Sequence, residues 1–160
     1  TLTKVFSKLI FLNQSVWKRG LGAVVRNVHG DHMGAISVPI TGCFSAKITE
    51  LLAIWEGLQF AWVAGYDSLV VETDAKNAIN DIVSGTEAFG VARGIINDIH
   101  MLSRNFDSLS FVFAPRLCNT VVDRIAKFAL GSVSIDVWLE EGPSWIDVFL
   151  QADANNLELS

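Results

Sequence analysis

Three apolar runs open the chain, each bounded by turn-forming residues. The first is VFSKLIFL at 5–12; GLGAVVRNV at 20–28 and MGAISVPI at 33–40 follow around the turn His29-Gly30-Asp31-His32. Such runs, rich in β-branched residues, predict strands in an antiparallel meander. After Gly42 the period changes. Ser45 suits an N-cap, the pattern from Ala46 to Ala64 is helical, and Gly65 stands where a helix stops. Ser68 to Thr73 then predicts a strand and Ala75 to Ser84 a short helix. A longer helix follows over about Val91 to Arg104, with Val91, Ile95, Ile99 and Leu102 on one face. Residues 108–114 predict a strand and Asn119 to Ala129 a last helix. The order β, β, β, α, β, α, α, β, α implies an α/β fold: three antiparallel strands, then strands joined through right-handed helical crossovers that pack on the sheet's faces.

The helix at 46–64 carries two apolar stripes. Ile48, Leu51, Leu52, Trp55, Leu58 and Trp62 form a bulky one; Ala46, Glu50, Ala53, Gly57, Ala61 and Ala64 form a small one roughly opposite. Small residues allow close approach, so the small stripe is expected against the sheet and the bulky one against other helices. Glu50 is the one charged member of the small stripe, and a buried carboxylate needs a partner. Asp74 ends the strand VVETD, at the sheet edge where α/β ligands commonly bind. Asp123 falls in the first turn of the helix after the next strand. Each acid alone fits a capping or dipole-matched role. Three together at strand and helix ends repel one another unless cations lie between them, and hard oxygen ligands suit Mg²⁺ or Mn²⁺.

Composition narrows the alternatives. With 160 residues, 51% hydrophobic and 18% charged, the chain suits one globular unit with a substantial core. No run approaches the ~18 apolar residues of a membrane span, and the start TLTKVFSKLIFLNQS lacks a signal-peptide pattern. An intracellular protein without membrane contact is expected. Cys43 and Cys118 have no metal-site spacing and read as buried hydrophobes. His29, His32 and His100 are scattered, with nothing to pair them to a nucleophile. The net charge of −5 is unevenly spread: all 12 Lys and Arg lie at or before Lys127, leaving residues 1–127 at +1, while the six acids beyond have no basic neighbour. Residues 131–160 keep Trp138, Trp145, Ile146, Val148, Phe149 and Leu150, and are expected to dock as an acidic extension rather than to form a free coil. The five tryptophans read as core and tail packing. Gly20-Leu21-Gly22 lacks the third glycine of a dinucleotide loop. Lys18, Arg19 and Arg26 read as a solvated strand end.

The order of elements, with GLGAVVRNVHGD, Ala46-Lys-Ile-Thr-Glu50-Leu-Leu-Ala53, VVETDAKNAI and Asn119-x-x-x-Asp123-x-x-Ala126-Lys127, resembles the ribonuclease H type 1 domains of plant reverse-transcriptase-like, retroelement-related proteins. The similarity covers about residues 4–130. It implies a ribonuclease H-like fold with a five-stranded mixed sheet, and cleavage of the RNA strand of an RNA–DNA hybrid by two divalent ions held on four carboxylates. Glu50, Asp74 and Asp123 match the second, third and fourth of those, and so would serve as catalytic metal ligands for Mg²⁺ or Mn²⁺. The bridging acid belongs on the first strand, where this chain has Leu12; a one-residue slip presents Asn13. A histidine common in the family ten residues before its last Asp is here Phe113. The resemblance therefore implies an incomplete carboxylate set and weakened ion binding. Three functions fit: a hybrid-cleaving nuclease, a nucleic-acid-binding domain without catalysis, and a protein-interaction module using the tryptophan-containing extension.

Overall fold

A computed structural model describes residues 3–10, 18–42, 44–85, 89–115 and 120–158. The elements run β1 (Thr3–Ile10), β2 (Lys18–Arg26), β3 (His32–Thr41), α1 (Ala46–Val63), β4 (Ser68–Thr73), α2 (Lys76–Ser84), α3 (Gly90–Ser103), β5 (Ser108–Phe113), α4 (Thr120–Gly131), β6 (Asp136–Leu139) and α5 (Ile146–Glu158). The strands join in one sheet in the order β5-β4-β1-β2-β3-β6. β1, β2 and β3 pair antiparallel; β4 runs parallel to β1 and to β5, as its helical crossovers require. The mixed sheet with three antiparallel and two parallel strands is as the sequence predicts. It has one strand more than the five expected. Residues 136–139 pair antiparallel with β3, Gly34 opposite Leu139 and Ser37 opposite Asp136. Four residues are too short a run for periodicity to mark as a strand.

Alternation along β2 divides the core. Leu21, Ala23 and Val25 point to one face, where with Ile36 and Val38 they meet Leu51, Ile54 and Leu58 of α1. Val24 points to the other and packs with Ala35, Val121, Val122, Ile125 and Ile146 of β3, α4 and α5. On that second face, close approach decides the sequence. A Cβ at Gly20 would overlap the Ala126 carbonyl oxygen, and one at Gly22 would come within 2.8 Å of the Ala126 backbone nitrogen. Gly20 and Gly22 therefore serve helix-on-sheet packing.

Local chemistry sets the ends of α1. Ser45 Oγ accepts from the Ile48 N–H at 3.2 Å, and Gly65, at φ 90°, takes the left-handed conformation just past the last turn. The two-stripe reading of α1 holds only in part. Ala53, Gly57 and Ala61 are buried as expected. Leu51 and Leu58 of the bulky stripe are buried too, but in the cluster with the β2 and β3 residues rather than against helices alone, while Trp55 is half-buried and Trp62 is 43% exposed, its ring edge-on to Phe106. A helix laid on a sheet and flanked by only one long helix has an outer face left over, and the bulky stripe extends onto it. Among the described residues no helix is long and apolar enough to cross a membrane.

Candidate active site at the α1, β4 and α4 termini

Glu50 sits just beyond the first turn of α1, and β2 helps to fix that end. The Arg19 guanidinium donates to Thr49 Oγ1 at 2.7 Å and to the Ser45 carbonyl at 3.3 Å, and Thr49 Oγ1 donates to Ser45 O at 2.8 Å. Arg19 thus holds a helix start in register with the sheet rather than forming a solvated strand end. β4 ends in the buried run Val71-Glu72-Thr73, followed by half-buried Asp74. Thr73 Oγ1 accepts from Ala75 N–H at 3.2 Å and the Asp74 carbonyl from Lys76 N–H at 3.1 Å, turning the chain into α2.

These two ends bring Glu50 and Asp74 within electrostatic reach. The Glu50 carboxyl is pushed above the ordinary glutamate range, first by burial and then by the Asp74 charge. Like charges held at a partly desolvated site are the arrangement that attracts a cation. Beside them, a cleft of about 410 Å³ is lined by Ala46, Lys47, Glu50, Asn77, Asn80 and Asp81, with a Lys47–Asp81 ion pair across it.

Asp123 lies in the first turn of α4, half-buried, with Oδ1 shielded from solvent. Another acid caps that helix. The carboxylate of Asp153, from α5, takes the Thr120 N–H at 2.8 Å, the Val121 N–H at 3.2 Å and the Thr120 hydroxyl. Among the described residues, no three His, Cys, Asp or Glu side chains form a group able to hold a metal ion. Leu12 and Asn13, like Cys43 and Cys118, lie outside the described residues. Phe113 ends β5 half-exposed. Of the histidines, His100 Nε2 bonds the Ile82 carbonyl at 2.7 Å and His32 Nδ1 the Glu140 carbonyl at 3.3 Å.

The residue most clearly misjudged from sequence is Arg26. It is 2% exposed, and its Nη2 donates to Asp153 Oδ2 at 2.7 Å, with Asp153 itself 0% exposed. Strict alternation along β2 would have revealed it. Arg26 shares the face of Gly20, Gly22 and Val24, which α4 and α5 cover.

Comparison with known proteins gives the same frame. No curated protein sequence matches the chain. Among solved structures it is similar to RNase H1 from the halophilic archaeon Halobacterium salinarum NRC-1, with TM-score 0.73 and 18% identity over 82% of this chain and 98% of that one. It is also similar to the N-terminal RNase H domain of a Mycobacterium tuberculosis protein, with TM-score 0.68 and 21% identity over 80% and 94%. A third is LC11-RNase H1, solved in complex with an RNA/DNA hybrid, with TM-score 0.71 and 15% identity over 81% and 96%. At these identities the likeness establishes a ribonuclease H-like fold. The reverse transcriptase-like family matches residues 12–129, nearly three quarters of the chain, so this chain belongs to that family.

Proposed function

We propose that the chain is a ribonuclease H-like nucleic-acid-binding domain whose site is built to hydrolyse the RNA strand of an RNA–DNA hybrid, with activity weakened or lost through Leu12. The observation that carries this is the raised Glu50 carboxyl beside Asp74, at the ends of α1 and β4. An RNase H1 of the same fold has been solved on an RNA/DNA hybrid, which supports the substrate class.

Glu50, Asp74 and Asp123 are the residues that would hold Mg²⁺ or Mn²⁺. The Glu50–Asp74 pair suits one ion; Asp123, on α4, is the candidate for the second. Bound ions of this kind supply an activated water and stabilise the leaving oxygen of the phosphodiester. The chain's own contribution is to hold Glu50 and Asp74 within electrostatic reach of each other; Asp123 would have to be drawn toward them, since among the described residues no three acids form a metal-holding group. The family resemblance expects an acid where this chain has Leu12, which would leave two ions sharing at most three carboxylates. The same departure favours a second reading, a domain that binds nucleic acid without cutting it.

Cleavage of an end-labelled RNA–DNA hybrid in Mg²⁺ and in Mn²⁺ tests this. Leu12→Asp is expected to cleave at least about tenfold faster than the unaltered chain. Asp74→Asn in that background is expected to abolish the gain. Full activity of the unaltered chain, lost in Asp74→Asn, would show that three carboxylates suffice and overturn the weakened-site reading. Salt-dependent hybrid binding with no cleavage by any variant would leave the binding reading alone.

A further inference from the structure

On the face of α4 turned toward α5 lies a groove of about 450 Å³, lined by Arg124, Lys127, Phe128, Trp145 and Phe149. Among the described residues its lining is two cations and three aromatic rings, with no carboxylate. Of the described acids nearby, Asp123, one turn before Lys127, and exposed Asp147 do not line the groove, and Asp153 is buried against Arg26 and the start of α4. In a chain of net charge −5, this is a local positive site. The rings are not wholly consumed by packing. Phe128 is 41% exposed, while Trp145 and Phe149 are half-buried. Phe128 and Trp145 have centroids 6.1 Å apart and planes 32° from parallel, so they offer ring faces of similar orientation. Trp145 is braced edge-on by Phe149, and the Arg124 guanidinium lies 4.6 Å from the Phe149 centroid.

Charge and shape select the ligand. Cations beside partly exposed aromatic rings, in a volume suited to a small molecule, favour a group that is both planar and anionic. A nucleotide is such a group. Lys127 lies on the same helix face as Asp123 and one turn further on, about 6 Å along the axis. We infer that this groove binds a single-stranded nucleic-acid segment, stacking a base on Phe128 and Trp145 and placing phosphates against Arg124 and Lys127. It would hold the strand that runs off the end of a duplex seated at Asp123. That continuity rests on the function proposed above; the groove's affinity for a single strand does not.

The test is fluorescence anisotropy of a labelled oligothymidine strand with the full chain, against an abasic phosphodiester strand of equal length. The abasic strand is expected to bind at least about fivefold more weakly, since it has no base to stack. Phe128→Leu keeps an apolar side chain of similar size and should erase that preference. Arg124→Gln with Lys127→Gln should flatten the log affinity against log salt slope by about 1.4, because two phosphate contacts are lost. Thymidine monophosphate should compete only at much higher concentration; competition at equal concentration would make the groove a mononucleotide site and overturn the strand assignment. Equal binding of abasic and oligothymidine strands, with Phe128→Leu unchanged, would also overturn it. A blunt RNA–DNA hybrid run in parallel separates the two readings. Hybrid binding without oligothymidine binding sinks the groove alone, and oligothymidine binding without hybrid binding sinks the duplex reading alone.

Discussion

Replacing Asp153 by alanine is expected to be among the most destabilising single changes in this chain. Its carboxylate is fully buried and joins three parts of the molecule: the Arg26 guanidinium of β2 at 2.7 Å, the first N–H groups of α4, and α5, to which it belongs. Removing it takes the carboxylate from an arginine whose side chain is 3% exposed. Breaking a buried ion pair from one side costs about 3–5 kcal/mol, because the surviving charge stays desolvated. A lost helix cap alone costs about 1 kcal/mol and overlaps with that figure, since the same oxygens do both jobs. For a domain stabilised by about 5–15 kcal/mol, the loss is a large share of the whole. At this chain length it corresponds to a fall in Tm of about 6–20 °C. Urea unfolding followed by tryptophan fluorescence measures it directly. Asp153→Asn, which keeps an acceptor for the α4 N–H groups and loses the charge, should fall between alanine and the unaltered chain. Arg26→Met combined with Asp153→Leu should cost less than the sum of the two single changes by more than about 0.5 kcal/mol, since no buried charge remains. A cost below about 1 kcal/mol for Asp153→Ala, or strict additivity in the double variant, would show that the pair does not clamp the fold.

Two further outcomes follow from the displaced titrations. Burial and Asp74 raise the Glu50 carboxyl, so the folded state holds that proton more tightly than the unfolded chain does. Its contribution to stability is therefore lost as pH rises from the ordinary glutamate value, and Glu50→Gln should raise Tm at pH 7.5 in chelator. Added Mg²⁺ should then stabilise the unaltered chain more than the variant; a lower Tm for Glu50→Gln in chelator would refute the repulsion. His32 is displaced the other way, first by burial and then by the Arg26 charge, against the opposing Glu140 carbonyl and Asp147. The folded state then binds fewer protons, so stability present above the ordinary value of about 6.5 is lost as pH falls below it. Between pH 7.5 and 5.5 the urea midpoint of the unaltered chain should fall further than that of His32→Gln, and equal falls would count against the assignment.

The parts of the fold legible in the sequence were those with local signals. Ser45 and Gly65 mark α1 because capping chemistry is local, and the Ser68 to Thr73 run is bounded within a residue because polar residues flank it on both sides. Glu50 and Asp74 were brought to one place by topology that the element order already implied. What stayed hidden was non-local. β6 is a strand only because β3 offers an edge, and nothing in Asp136-Val-Trp-Leu139 states that by itself. Arg26 reads as polar at a strand end until the partner 127 positions away supplies its counter-charge. Gly20 and Gly22 resemble a fragment of a phosphate loop until Ala126 is seen against them.

That non-locality bears on where the functional unit ends. The family match stops at residue 129, inside α4 and after Asp123. The groups that finish α4 come later in the chain. Asp153 receives the Thr120 and Val121 N–H groups, and Ile146 packs with Val121, Val122 and Ile125. β6 covers the free edge of β3, and Trp138 meets Phe128 edge-on at 5.5 Å. The helix that offers Asp123 is thus oriented by sheet residues on one side and by residues beyond the match on the other. The acidic, base-free composition of 131–160 suits this arrangement. The fully buried carboxylate of Asp153 answers Arg26, and aromatic residues of this segment face the cations of α4, so the charge asymmetry along the sequence becomes pairing across the fold. A chain cut at the end of the family match would retain Asp123 but lose the carboxylate that caps its helix.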